Sequence, residues 1–330
     1  MTTTWTWSQA LTGVVPPLIS PLGDGGDVDA GAMAALVEHV VAGGCTGLFV
    51  LGGCGEGAWL TTAQRDAIVR AAVKAAAGRV PVLAAVMLPA TGPAVEAARR
   101  ARGEGADAVV VGSPYYFAVD GGGHRRHVEA VLEAAGLPGL LYNIPQCTHA
   151  VLAADTVAAL ARDARVLGMK DSAGDFLTFQ RYLAVKRERP DFRVLQGQES
   201  LLASSVLHGG DGAVPGVANI APRLCVDLVR AAHAKDSARA TQLQEQVTGL
   251  TRVYEQGNHW LPALKAACAQ LGLGNGRPAP PLEPAGDAAR AAIAALLTRF
   301  SKTATDGSAE QPVVEKGPDA RRRPRAAREA

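Results

Sequence analysis

The sequence predicts an α/β fold, a (β/α)8 TIM barrel with a C-terminal helical appendage and a disordered tail. Two observations carry the prediction. Short apolar runs of β type alternate with alanine-rich amphipathic stretches, and the pair recurs eight times at a spacing of about thirty residues. Composition agrees: 330 residues, 48% hydrophobic and 19% charged with a formal net charge of +2, suit a globular chain with a sizeable core. That balance calls for neither a strongly acidic nor a strongly basic partner.

In chain order, GVVPPLIS (13–20) leads into DAGAMAALVEHVVAGG, and GLFVLG (47–52) into TTAQRDAIVRAAVKAAAG, where Thr61 or Thr62 is placed to cap a helix. PVLAAVM (81–87) precedes GPAVEAARRARGEG, and AVVVGSPYY (108–116) precedes HRRHVEAVLEAAG. GLLYNIP (139–145) is followed by AADTVAALARD, and VLGMKDS (166–172) by FLTFQRYLAVKRER. FRVLQG (192–197) with SLLASSVLHGG, then GAVPGV (212–217) with PRLCVDLVRAAHAK, complete the eight units.

Three further helical stretches, within 236–256, 259–273 and 287–300, have no strands between them. The expected organisation is a barrel over 11–235, a helical extension over 236–300 and a disordered tail over 301–330, where apolar periodicity is lost. Within the tail, RRRPRAAR (321–328) resembles a nucleic-acid contact, but acidic residues lie upstream and no folded basic face accompanies it. It is read as solvated chain, and no nucleic-acid partner is expected.

The five cysteines, Cys45, Cys54, Cys147, Cys225 and Cys268, are widely spaced and form no C-x-x-C pair. They are read as reduced. The start, MTTTWTWSQALTG, lacks a basic region followed by a long apolar run, and no later stretch has membrane-spanning length, so a cytoplasmic protein without membrane association is expected. His124 and His127, three apart with no third ligand in view, are read as solvated residues at a helix start; His39, His208 and His233 are also assigned no function. Neither a metal nor another cofactor is expected.

In such a barrel the chemistry sits at the C-terminal ends of the strands. These ends read GGCGE (52–56), SPYYF (113–117), YNIPQCT (142–148), MKDSAGD (169–175) and VPGVAN (214–219), the last offering Val214 as a substrate contact. Of seven lysines, Lys74, Lys186, Lys235 and Lys265 fall in helical stretches and Lys302 and Lys316 in the tail, so only Lys170 lies on a strand. Lys170 either ends its strand pointing into water or faces the barrel interior. Alternation then turns Asp171 away and leaves the amine in apolar surroundings. Such a setting lowers an amine's pKa and favours attack on a carbonyl to give a Schiff base. Tyr142 closes the preceding strand, where its hydroxyl can shuttle protons beside an imine. The turn at Gly53 and Cys54 lacks a complete G-x-G-x-x-G and a Walker lysine, but its backbone N–H groups can hold a carboxylate.

The constellation resembles the superfamily of dihydrodipicolinate synthase and N-acetylneuraminate lyase, which are Schiff-base aldolases. The resemblance spans about residues 11–298 and rests on GVVPPLISPL, GGCGE, SPYYF, YNIPQCT, GMKDSAGD, GGDGAVPGVANIAP and LPALKAACAQLGL, in that order. It implies that Lys170 forms an imine with a 2-oxo acid, usually pyruvate, and that Tyr142 transfers protons. The resulting enamine adds to an aldehyde, or cleavage in reverse releases pyruvate. It also implies that Gly53 and Cys54 hold the pyruvate carboxylate. A further implication is that Tyr116 completes a proton relay across a subunit contact in a homodimer or homotetramer.

Three departures bear on the substrate. Gly53 and Cys54 stand where the family often has two hydroxyl residues, and Gly53 cannot relay a proton. Either water takes the place of that hydroxyl or the relay differs, and the doubled glycine resembles the family's sugar-acid dehydratases. Cys147 replaces the arginine that binds the second substrate's carboxylate in dihydrodipicolinate synthases, which makes aspartate semialdehyde a poorer acceptor. His149, at a position often glycine, either contacts the acceptor or packs the loop. The leading expectation is a pyruvate-dependent aldol condensation or cleavage with an unknown aldehyde. The alternatives are dehydration of a 2-keto-3-deoxy sugar acid through the same imine, and a non-catalytic binding or regulatory barrel.

Overall fold

The β-branched and small residues of the repeated apolar runs form strands buried on both faces, as a parallel sheet wrapped in helices requires. The computed structural model describes residues 5–306. Its seven strands are β1 (Leu48–Val50), β2 (Val82–Ala85), β3 (Ala108–Gly112), β4 (Gly139–Asn143), β5 (Val166–Asp171), β6 (Arg193–Gln196) and β7 (Gly212–Ala213). They lie side by side in sequence order, and every neighbouring pair is parallel.

The stave expected over 13–20 is in its place but forms no regular ladder. Val14 bridges Ala213 and Pro17 bridges Phe49, both in parallel sense. Val15 N donates to Ala213 O at 2.9 Å, and Leu18 N to Phe49 O at 2.8 Å. Pro16 and Pro17 have no N–H to donate, so only isolated bridges form. The segment nevertheless links β7 to β1 and closes the barrel.

The helices are α1 (Trp7–Ala10), α2 (Ala30–Ala42), α3 (Thr62–Ala76), α4 (Thr91–Gly103), α5 (Gly121–Ala135), α6 (Pro145–Thr148), α7 (Ala154–Leu160), α8 (Phe176–Ala184), α9 (Leu202–Leu207), α10 (Pro222–His233), α11 (Ser237–Thr251), α12 (Trp260–Gln270) and α13 (Asp287–Asp306). Their starts follow capping chemistry. Asp29 accepts from Ala32 N at 2.9 Å, and Thr61 and Gln64 form a reciprocal capping box before α3. On α10, Cys225, Leu228, Val229 and Ala232 are buried at helical spacing, laying one stripe against the barrel.

Three sequence expectations need correction. Helix α13 continues through Ser301 to Asp306, beyond the expected start of the tail at 301; residues 307–330 lie outside the described region. His124 and His127 are buried on α5, at 4% and 3% exposure, instead of solvated. The runs at 108–116 and 212–217 leave strand geometry after Gly112 and Ala213, so Tyr116 and Val214 lie in the loops at the barrel mouth. Helix α12 reaches the core directly: Lys265 is buried and its Nζ donates to Ser20 O at 2.8 Å. No helix among the described residues is long and apolar enough to cross a membrane.

Candidate active site

Register builds the centre of the site. Tyr142 on β4 and Lys170 on β5 are direct partners across the parallel ladder, so both side chains leave the sheet on the same face. Lys170 is 3% exposed and Tyr142 also 3%. The Lys170 Nζ lies 4.3 Å from the centre of the Tyr142 ring and 4.8 Å from that of Phe49. Those two rings meet edge to face at 5.8 Å. Asp171 turns to the other side, where its Oδ1 accepts from Asn143 Nδ2 at 2.7 Å. The lysine thus sits among aromatic faces, apart from its sequence neighbour.

Space for the amine comes from the residue that follows β6. A Cβ at Gly197 would stand 2.7 Å from the Lys170 Cε and 2.1 Å from the Ser172 Oγ, so any side chain there collides with the lysine arm. Burial is the main cause that brings the Lys170 ammonium down to about 8, with Cys54, Glu199 and Cys147 pulling weakly the other way. Burial likewise raises the Tyr142 phenol above its ordinary value, opposed by a hydrogen bond with Ser172. Near neutrality the pair therefore offers a partly unprotonated amine beside a protonated phenol.

The glycine-rich turn forms one wall. Gly53 is exposed with open space where a Cβ would stand, whereas Cys54 is half-buried. Burial pushes the Cys54 thiol up to about 12, with Lys170 lowering it. A Cβ at Gly216 would meet the Cys54 Sγ at 3.3 Å, the Glu199 Oε1 at 3.2 Å and the Tyr254 hydroxyl at 2.6 Å. Glu199 Oε1 accepts from Gly216 N and from the Tyr254 hydroxyl, each at 2.9 Å. A carboxylate and a phenol thus stand close to the Cys54 thiol.

The remaining expected residues are dispersed. Val214 is buried, and its N–H is taken by Gln196 O at 2.8 Å, which leaves the amide no free donor for a substrate. Cys147 is exposed on α6, and burial combined with Lys170 acting in the opposite direction leaves its thiol above the ordinary value. His149 is exposed, with a left-handed φ of 55°, and closes α6 by donating its N–H to Pro145 O at 2.8 Å. Tyr116 is 81% exposed at φ 84° and stacks edge to face on Phe117, outside the buried pair. Among the described residues no group of three or more His, Cys, Asp or Glu side chains could hold a metal ion.

Sequence reasoning overlooked Phe49, Ser172, Glu199, Tyr254, Glu56 and Lys265. One signal was available for Lys265: in LPALKAACAQ it shares a helical face with Leu261 and Cys268, both buried, so periodicity alone places it inward. Tyr254 lies in a short helical segment after α11 and is joined to Glu199 over a long sequence separation, which local patterns do not register.

The chain matches the dihydrodipicolinate synthetase family over residues 10–300. It is 36% identical over 287 residues to the 4-hydroxy-tetrahydrodipicolinate synthase of Phenylobacterium zucineum (strain HLK1), covering 86% of this chain and 96% of that protein. It is 35% identical over 269 residues to the probable 2-dehydro-3-deoxy-D-pentonate aldolase YjhH of Escherichia coli (strain K12), covering 80% and 89%. Among solved structures, dihydrodipicolinate synthase from Bacteroides thetaiotaomicron superposes with a TM-score of 0.84 at 36% identity, covering 88% of this chain and 98% of that one. YagE from E. coli K12, a prophage protein of the dihydrodipicolinic acid synthase family solved in complex with pyruvate, gives 0.83 at 30% identity, with the same 88% and 98% coverage. With a family match across nearly the whole barrel and relatives this similar over their own full length, the chain belongs to the dihydrodipicolinate synthetase family of class I, pyruvate-dependent Schiff-base aldolases and lyases.

Proposed function

We propose that the chain joins or cleaves a carbon–carbon bond between pyruvate and a hydroxylated aldehyde, with Lys170 as nucleophile and Tyr142 as proton carrier. The observation that carries the reading is the buried amine, lowered to about 8 and enclosed by Tyr142 and Phe49. The neutral amine attacks C2 of pyruvate, and loss of water gives the imine. Removal of a C3 proton yields the enamine, which adds to the aldehyde carbon, and hydrolysis releases product and the free amine. Tyr142 is buried and protonated beside the imine, so it can carry protons between C3, the departing water and the new hydroxyl. The backbone of the Gly53–Cys54 turn is assigned the pyruvate carboxylate.

The acceptor follows from charge. Cys147 supplies no guanidinium for a second carboxylate, and Glu199 places a carboxylate near Cys54 and Lys170. A carboxylate repels an anionic acceptor but accepts hydrogen bonds from hydroxyls. Similarity to the probable pentonate aldolase supports this choice, although the synthase from P. zucineum is equally similar. A second reading, dehydration of a 2-keto-3-deoxy sugar acid, is favoured by the open space and absent hydroxyl at Gly53. We further assign the enzyme to the cytoplasm, in keeping with five unpaired cysteines, and to a homo-oligomer, in keeping with exposed Tyr116 and Phe117.

Incubation with a panel of 2-keto-3-deoxy sugar acids tests the proposal. Stoichiometric release of pyruvate and an aldehyde is expected. Loss of water with the carbon skeleton intact would establish dehydration instead, and turnover confined to aspartate semialdehyde would overturn the choice of acceptor.

A further inference from the structure

Glu56 and Lys265 pair at 2.6 Å with side chains 0% and 1% exposed, the most enclosed ion pair among the described residues. The proposed chemistry uses neither. Burying two charges costs several kcal/mol per ion before their attraction is counted, and well-packed apolar side chains often stabilise a core at least as well. The pair therefore calls for a role other than filling the core.

Its bonds supply one. Glu56 Oε2 faces the Lys265 Nζ, while Oε1 accepts from Ala279 N at 2.6 Å. The Lys265 Nζ also donates to Ser20 O at 2.8 Å, and the Ser20 hydroxyl donates to Gly55 O at 2.7 Å. Beyond the pair itself, the contacts end on backbone in the substrate turn, on the first stave or on the segment after α12. The turn itself is tight. Glu56 holds a left-handed φ of 55°, and a Cβ at Gly55 or Gly57 would stand 2.7 Å from Leu51 N or 2.0 Å from Leu51 O.

We infer that Glu56 and Lys265 are positioning residues, which fix the 52–57 turn from α12 so that Gly53 and Cys54 present their backbone to the carboxylate of a 2-oxo acid bound at Lys170. The inference rests on the imine reading for its substrate, but the mechanical linkage stands on the contacts alone. It makes the C-terminal helices part of the active site.

The test is the double variant E56Q/K265M, which removes both charges at nearly constant volume. Pyruvate is titrated in the presence of borohydride, and amide exchange is followed over residues 51–58. The variant is expected to fold and to reach full labelling of Lys170 at saturation. Half-saturation should need about tenfold more pyruvate, as misplacement of a binding group predicts, with faster exchange confined to the turn. Half-saturation within twofold of the unaltered protein, or unchanged exchange, would overturn the inference. Should the double variant fail to fold, Glu56→Asp, one methylene shorter with both charges kept, decides on the same two readouts. If the unaltered protein takes no label, the imine reading fails, while the exchange data still decide whether the pair holds the turn.

Discussion

Lys170 illustrates how one side chain can be legible in sequence while its neighbours are not. Among the described residues it is the only strand lysine, and β4–β5 register brings Tyr142 to it. The aromatic enclosure by Phe49 and the clearance at Gly197 depend on three-dimensional closure, which leaves no local pattern. At pH 7.5 an ordinary lysine is neutral in about one molecule per thousand, whereas one titrating at about 8 is neutral in roughly one of four. The sign follows: imine formation at subsaturating pyruvate should rise from pH 6 and level off above about 8, measured as the initial labelling rate with borohydride. Tyr142→Phe keeps the ring against the amine but removes the hydroxyl proposed to carry protons. It should still form the imine, with kcat lower by roughly 10²–10⁴-fold in steady-state assays.

At the scale of elements, alternation and capping made most of the barrel readable. Asp29 and Thr61 start α2 and α3 as their chemistry requires. The double proline was the element that patterning misjudged, since apolar content marks a strand but not its missing N–H donors. Helix α5 was misjudged differently: His124 and His127 look polar in sequence, yet both face the core. Burial first, then His124, lowers His127 to about 4, and its Nδ1 meets Thr91 Oγ1 at 3.0 Å. Burial lowers His124 as well, with Asp120 opposing it. A histidine depressed in the folded state leaves stability intact above its unfolded value near 6.5 and removes it as pH falls toward 4. The His127 contribution to that loss is on the order of 3 kcal/mol by pH 4. Thermal melts of the unaltered protein should therefore fall steeply between pH 6.5 and 4. His127→Asn, which can retain a bond to Thr91, should flatten that slope.

For the molecule as a whole, the sequence conveyed the eightfold repeat but not how the C-terminal helices engage the barrel. The expected division at 235/236 describes the chain's order, while Lys265 joins α12 to Glu56 and to the first stave. The proposed homo-oligomer is in keeping with the exposed Tyr116 and Phe117. A left-handed, non-glycine backbone and two large exposed rings are kept at a cost that a subunit contact would offset. Sedimentation should show a dimer or larger species, and the double substitution Y116A/F117A should shift it toward monomer by at least tenfold in dissociation constant, about 1.4 kcal/mol.

The central claim is that Lys170 is the imine-forming nucleophile, and the most direct measurement is mass spectrometry after incubation with pyruvate and borohydride. The account predicts one pyruvate-derived adduct per chain, mapped to the peptide containing Lys170 and absent from Lys170→Arg. An adduct on another lysine, or none under conditions that label a known class I aldolase, would contradict it.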